Sequence, residues 1–130
     1  MSNTQALSFT DAGLHPELER ISDAELDTLA FGVIGFDASG VVRRYNSFES
    51  KAAGLSGTRV LGQPLFSVVA PCMNNFMVAQ RFEDSLAESA PLDDTVDYVL
   101  TLRMRPVKVK LRLLAQAGAD MRYVLVHRPA

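Results

Sequence analysis

From Ala30 to Asp37 the chain reads Ala-Phe-Gly-Val-Ile-Gly-Phe-Asp, and after Ala38-Ser39-Gly40 it resumes as Val-Val-Arg-Arg-Tyr-Asn to Asn46. Apolar runs with period-two character on both sides of a short glycine-containing turn predict two strands joined as a hairpin. Strand patterning returns late in the chain, over Thr95 to Met104, Val107 to Leu114 and Arg122 to Arg128. In the second of these, Val107, Val109, Leu111 and Leu113 alternate with Lys108, Lys110 and Arg112, which predicts one core face and one basic, solvated face. Between the two groups of strands, Gly54, Gly57, Gly62, Pro64 and Pro71 break residues 46–71 into short helical or turn pieces suited to wrapping a pocket. Phe76, Ala79, Phe82 and Leu86 then carry helical spacing, predicting a helix within Asn74 to Ala90.

Ahead of the strands, Thr10 to Leu29 predicts one or two short helices, the second opened by Ser22-Asp23-Ala24-Glu25 with the spacing of a capping box. The segment is acidic and weakly amphipathic. It is expected to lie on the main body as a cap, held by a few contacts from Leu14, Leu18, Ile21, Leu26 and Leu29 and easily released. The order of elements defines an α+β domain: a five-stranded antiparallel sheet with helical connections on one side and an N-terminal helical cap. The expected division is a cap over 1–28 and a core over 29–130.

Composition narrows the function classes. The 130 residues, 48% hydrophobic and 22% charged, suit one compact domain with a real core. A net charge of -2 gives no global attraction to phosphate backbones, so nucleic acid is not an expected partner. The amino terminus has no basic start and no unbroken apolar stretch, which argues against a signal peptide or membrane anchor and for a cytoplasmic protein.

Two places could carry chemistry. Cys72 is the only cysteine, at the end of the apolar run Leu65 to Met73. It cannot form an internal disulfide, so a special role would be nucleophile, metal ligand or attachment point; the plain alternative is a small buried hydrophobe. Tyr45 ends a strand and Glu49 follows about one helical turn later, so a phenol and a carboxyl can converge as two donors on one oxygen. Phe48, Ala52, Ala53 and Leu55 make burial of the Glu49 carboxyl plausible, and burial raises a carboxyl pKa. The structural alternative for the pair is a strand-end tyrosine and a solvated glutamate.

Taken together, Ala30-Phe-Gly-Val-Ile34, Tyr45-Asn46-x-x-Glu49, Val69-Ala70-Pro71-Cys72 and Met104-x-Pro106-x-Lys108-Val109-Lys110 follow one another at spacings that resemble those of the photoactive yellow protein family, from about Asp23 to the end of the chain. The resemblance implies a PAS fold and a blue-light receptor carrying 4-hydroxycinnamic (p-coumaric) acid as a thioester. It would place the chromophore on Cys72, with Tyr45 and Glu49 bonded to its phenolate oxygen and the Cys72 backbone N–H on the thioester carbonyl. Asn46 would pin the loop behind Tyr45, Val69, Ala70 and Pro71 would lie around the chromophore, and Met104 would assist re-isomerisation in the dark.

Departures from the family pattern fall at Ala53 and Leu55, which replace a supporting threonine and an arginine, and at Leu100 and Leu102, which replace aromatic residues. Loss of the donors at Ala53 and Leu55 implies a raised chromophore pKa and a mixed visible and near-ultraviolet spectrum, and the changes at Leu100 and Leu102 imply a looser pocket wall and altered recovery kinetics. The implied cycle is isomerisation, proton transfer from Glu49 to the phenolate, an unpaired buried carboxylate, partial unfolding of the cap, and thermal recovery. An unidentified downstream signalling protein is the implied partner, with the chain a monomer or weak dimer.

The leading alternative is a PAS-like sensor or dimerisation module holding another ligand or none. A cysteine hydrolase is disfavoured because the only histidines are His15, in the expected cap, and His127, near the end of the last strand. Haem and metal sites lack ligand spacing, and a flavin photoreceptor would carry an Asn-Cys-Arg-Phe-Leu type of motif.

Overall fold

The computed structural model describes residues 7–101 and 106–128. Helices α1 (Leu14–Arg20) and α2 (Asp23–Leu26) precede the hairpin β1 (Gly32–Phe36) and β2 (Val42–Tyr45). Helices α3 (Ser47–Ala53) and α4 (Gly57–Val60), a π-helical turn (Leu65–Val69), a 3-10 turn (Pro71–Met73) and α5 (Ala79–Glu88) follow, and β3 (Leu92–Leu100), β4 (Val107–Ala115) and β5 (Arg122–His127) close the chain. The strands form one sheet in the order β2-β1-β5-β4-β3, every neighbouring pair antiparallel.

Strand periodicity sorts the core into two layers. On one face Ile34, Phe36, Val109, Leu111, Leu113, Val124 and Val126 pack under the helical middle of the chain, with Leu65, Val69, Met73, Val78 and Phe82. Phe36 anchors this layer, meeting Phe82 and Phe66 edge-on at centroid distances of 4.9 and 5.5 Å. The opposite side chains of the same strands, Val33, Leu114, Tyr123 and Leu125, pack against Leu14, Leu18, Ile21, Leu26 and Leu29. With both faces covered, β1 is buried along its whole length, which accounts for its apolar run.

The amino-terminal segment is held more firmly than its weak amphipathicity implies. Leu14 and Leu18 are completely buried and Leu26 nearly so, each contributing about 2 kcal/mol. Two sheet arginines clamp its backbone: Arg44 donates to the carbonyls of Leu18 and Ile21, both at 2.7 Å, and Arg112 to those of Phe9 and Asp11 at 2.8 and 2.7 Å. Ser22 and Glu25 form the expected capping box.

Three other expectations are corrected. The second face of β4 is solvated only at Lys108 and Lys110; Arg112 is buried, because the amino-terminal segment lies over that half of the strand. Helix α5 is shorter than Asn74 to Ala90, and Phe76 and Leu86 are exposed, because the chain runs through irregular turns before Ala79. Strand β3 starts at Leu92, pairing with Ala115, three residues before Thr95. Among the described residues no helix is long and apolar enough to cross a membrane.

Candidate functional site

The site is assembled where β2 hands over to α3. Asn46 is buried and all four of its side-chain bonds are made: Oδ1 accepts from Val33 N at 2.9 Å and Glu49 N at 3.1 Å, while Nδ2 donates to Leu26 O and Phe31 O, both at 3.0 Å. It therefore caps α3, ties α3 to β1 and reaches the end of α2, a wider role than pinning the loop behind Tyr45. At the other end of α3, Gly54 takes a left-handed conformation (φ 72°) and its N–H bonds to Ser50 O, stopping the helix directly after the buried Ala53. This turns half-buried Leu55 onto the apolar layer beneath the helices.

Glu49 is 1% exposed. Arg128, just past β5, grips its carboxyl with both arms of the guanidinium, Nη1 to Oε1 at 2.7 Å and Nη2 to Oε2 at 3.1 Å. Burial is the larger influence and pushes the Glu49 pKa above its ordinary value, while the hydrogen bonds and charge of Arg128 pull the other way. Thus the carboxyl keeps its proton to higher pH than an exposed glutamate, with one cation at hand to receive the ionised form. Burial likewise raises the phenol of half-buried Tyr45, with Glu49 adding to the rise and Arg128 opposing it. Among the described residues, no hydrogen bond reaches the Tyr45 hydroxyl.

Gly32 completes this corner. A Cβ there would lie 2.0 Å from Glu49 Oε1, so the carboxyl packs against β1 only because that position has no side chain.

Cys72 enters from the other side. The π-helical turn ends at Val69, Ala70 breaks it, and Pro71 opens the 3-10 turn that carries Cys72. The thiol is half-buried, and Cys72, Tyr45 and Leu55 all pack on the apolar layer that contains Val69, Ala70 and Leu100. Pro71 is exposed, so it acts through the backbone conformation rather than by lining that layer. The Cys72 carbonyl accepts from Tyr98 Oη and, at 3.2 Å, from Asn75 Nδ2; Asn75 also reaches Tyr98 Oη at 2.6 Å. Leu102 and Met104 lie outside the described residues.

The structure places Tyr45, Leu55, Val69, Ala70, Cys72 and Leu100 on one apolar layer and buries Glu49 and Ala53 on α3, with Asn46 at the start of that helix. Arg128, Gly32, Tyr98 and Asn75 are the additions that sequence reading missed. A single arginine after a strand and a glycine within one carry no local signal; only the folded chain shows what they face. Chemically, the thiol could anchor an electrophilic ligand, and the phenol and the protonated carboxyl could each donate a hydrogen bond. An open groove of about 840 Å3 along β3 and β4 shares Tyr98 and Asn75 with this region but includes none of Tyr45, Glu49 or Cys72.

A sheet of this order, with the helical middle of the chain packed on one face, is the architecture of a PAS domain. The chain is similar to the PAS domain of an HTR-like protein from Haloarcula marismortui, with a TM-score of 0.61 and 17% identity over 88% of this chain and 99% of that one. That likeness defines the fold class. No protein-family model matches the chain. A photoactive yellow protein from Halochromatium salexigens is 33% identical over 120 residues, 92% of this chain and 95% of that protein. The photoactive yellow protein domain of the sensor histidine kinase Ppr from Rhodospirillum centenum is 35% identical with a TM-score of 0.79, covering 87% of this chain and 98% of that one. The chain belongs to the photoactive yellow protein family.

Proposed function

We propose that the protein is a blue-light receptor rather than an enzyme, with 4-hydroxycinnamic acid held as a thioester on Cys72. The observation that supports this most directly is that a half-buried thiol and the half-buried Tyr45 pack on one apolar layer, with Glu49 buried against Gly32 one helical turn after Tyr45, in a chain of this family. When bound, the chromophore supplies a double bond that light converts from trans to cis. Tyr45 and protonated Glu49 donate to its phenolate oxygen in the dark, and two donors in a dry pocket stabilise that anion. Val69, Ala70 and Leu100 exclude water, and Tyr98 with Asn75 fixes the backbone that carries the thiol. Met104 assists the return to the dark state.

After illumination Glu49 would give its proton to the phenolate oxygen of such a chromophore and become a carboxylate. Asn46 lies between this event and the amino-terminal helices, accepting from Glu49 N and donating to Leu26 O. A shift of α3 pulls on α2 through it, and partial release of the cap uncovers sheet surface for a downstream signalling protein in the cytoplasm. The Rhodospirillum centenum relative, a domain of a sensor histidine kinase, supports a signalling output of this kind.

The test is an absorption spectrum, before and after a blue flash, of purified protein treated with an activated p-coumaric ester, beside Cys72→Ala. A visible band that requires Cys72, bleaches and returns in the dark is the expected result. A folded protein with no band refutes the proposal and leaves a PAS module for a different ligand.

A further inference from the structure

A guanidinium from the far end of the chain reaches the buried carboxyl of α3. Arg128 follows β5, its side chain is 16% exposed, and it occupies both oxygens of a glutamate that is 1% exposed. The groups facing Glu49 are few. Gly32 on β1 offers only backbone, Asn46 binds the Glu49 amide rather than its carboxyl, and Tyr45 is the titratable group shared with Arg128. Among the described residues the charge at this end of the pocket is thus one carboxyl and one guanidinium.

We propose that Arg128 is the positioning residue that decides whether the proton of the Tyr45–Glu49 corner rests on Glu49 or on the phenol oxygen of the bound chromophore. This rests on the function proposed above. Either proton position leaves the corner with the same total charge: the Glu49 Oε–H bond breaks as the phenol O–H bond forms, and Arg128 stays charged throughout. What differs is where the anion sits. A guanidinium fork already bonded to both Glu49 oxygens favours the carboxylate, and so favours the neutral, near-ultraviolet phenol. Arg128 therefore competes with the visible-absorbing phenolate and supplies a ready partner for the carboxylate formed after light.

Two measurements test this. In unloaded protein labelled at the glutamate side-chain carbon, the pH titration of Glu49 is followed by NMR in wild type, Arg128→Gln and Arg128→Lys. Arg128→Gln moves the midpoint to higher pH, because burial acts unopposed, and Arg128→Lys returns it part of the way by restoring the charge without the fork. In protein loaded with p-coumaric acid, Arg128→Gln raises the ratio of visible to near-ultraviolet absorbance severalfold at neutral pH, and has no such effect in a Glu49→Gln background. An unchanged titration in Arg128→Gln, a lysine variant that titrates like the glutamine one, or an unchanged band ratio in a protein that does form the visible band each overturns the inference. Absence of any Cys72-dependent band in wild type overturns the proposed function instead, and the unloaded titration still decides the role of Arg128.

Discussion

At Glu49 a carboxyl removed from water, a guanidinium fork and a missing Cβ at Gly32 act on the same few cubic ångströms. Gly32→Ala would drive a methyl into the carboxyl. The expected cost is about 1–3 kcal/mol in urea unfolding, with displacement of the Glu49–Arg128 pair; an alanine variant as stable as wild type would show that the carboxyl has another place to go. The sign of the pH dependence follows from the raised Glu49 pKa. The folded chain binds this proton more tightly than the unfolded chain, so the stabilisation is complete below the ordinary carboxyl value of 4.5 and is lost as pH rises through the higher folded value. Urea midpoints measured upward from pH 4.5 should fall in wild type. In Glu49→Gln that slope should be absent, and parallel curves would refute the assignment.

Among the elements, α3 matters most, since it carries Glu49, starts on Asn46 and ends at Gly54 beside Ala53 and Leu55. Asn46→Ala removes the cap and leaves buried partners on β1, α2 and α3 without their bonds. A loss of about 3 kcal/mol or more in chemical denaturation is expected, well above the ~1 kcal/mol of a simple capping residue. A loss near the smaller figure would mean that the cap alone matters and that α2 is not tied through this side chain. The elements themselves were largely legible beforehand. The hairpin, the late strands and the Ser22–Glu25 box rest on local periodicity and local bonds, which the chain carries wherever it goes. Phe76 carries the helical spacing past the start of α5 but is exposed in an irregular turn, and spacing alone cannot report burial.

For the molecule as a whole, the question is how firmly the amino-terminal helices are attached. Arg44 and Arg112 each reach from the sheet to cap carbonyls, and Tyr123 Oη donates to Glu19 at 2.7 Å while receiving Arg44. Release therefore means giving up buried leucines and charged hydrogen bonds together, so under the proposed function light should open the cap only in part. Hydrogen exchange under continuous blue light should rise first at α2 and the start of α3, which Asn46 joins, and less at α1, where Arg44 holds the carbonyls of Leu18 and Ile21. Equal protection of 7–28 in dark and light would remove cap release from the mechanism. A uniform rise over α1 and α2 would retain it but discard Asn46 as its route.

By itself the sequence determined the strand order in time, the α+β class, the cap's apolar contacts and the segments carrying Tyr45, Glu49 and Cys72, because hydrophobic period, turn residues and capping boxes act between near neighbours. Only the tertiary structure decided that β4 is covered at Arg112, that Gly32 must lack a side chain, and that Arg128 lies against Glu49 across 79 residues of chain. Those facts depend on sheet order and on which faces meet. Charge pairing and burial between distant segments come into being only when the chain closes on itself, and no spacing rule along the sequence encodes them.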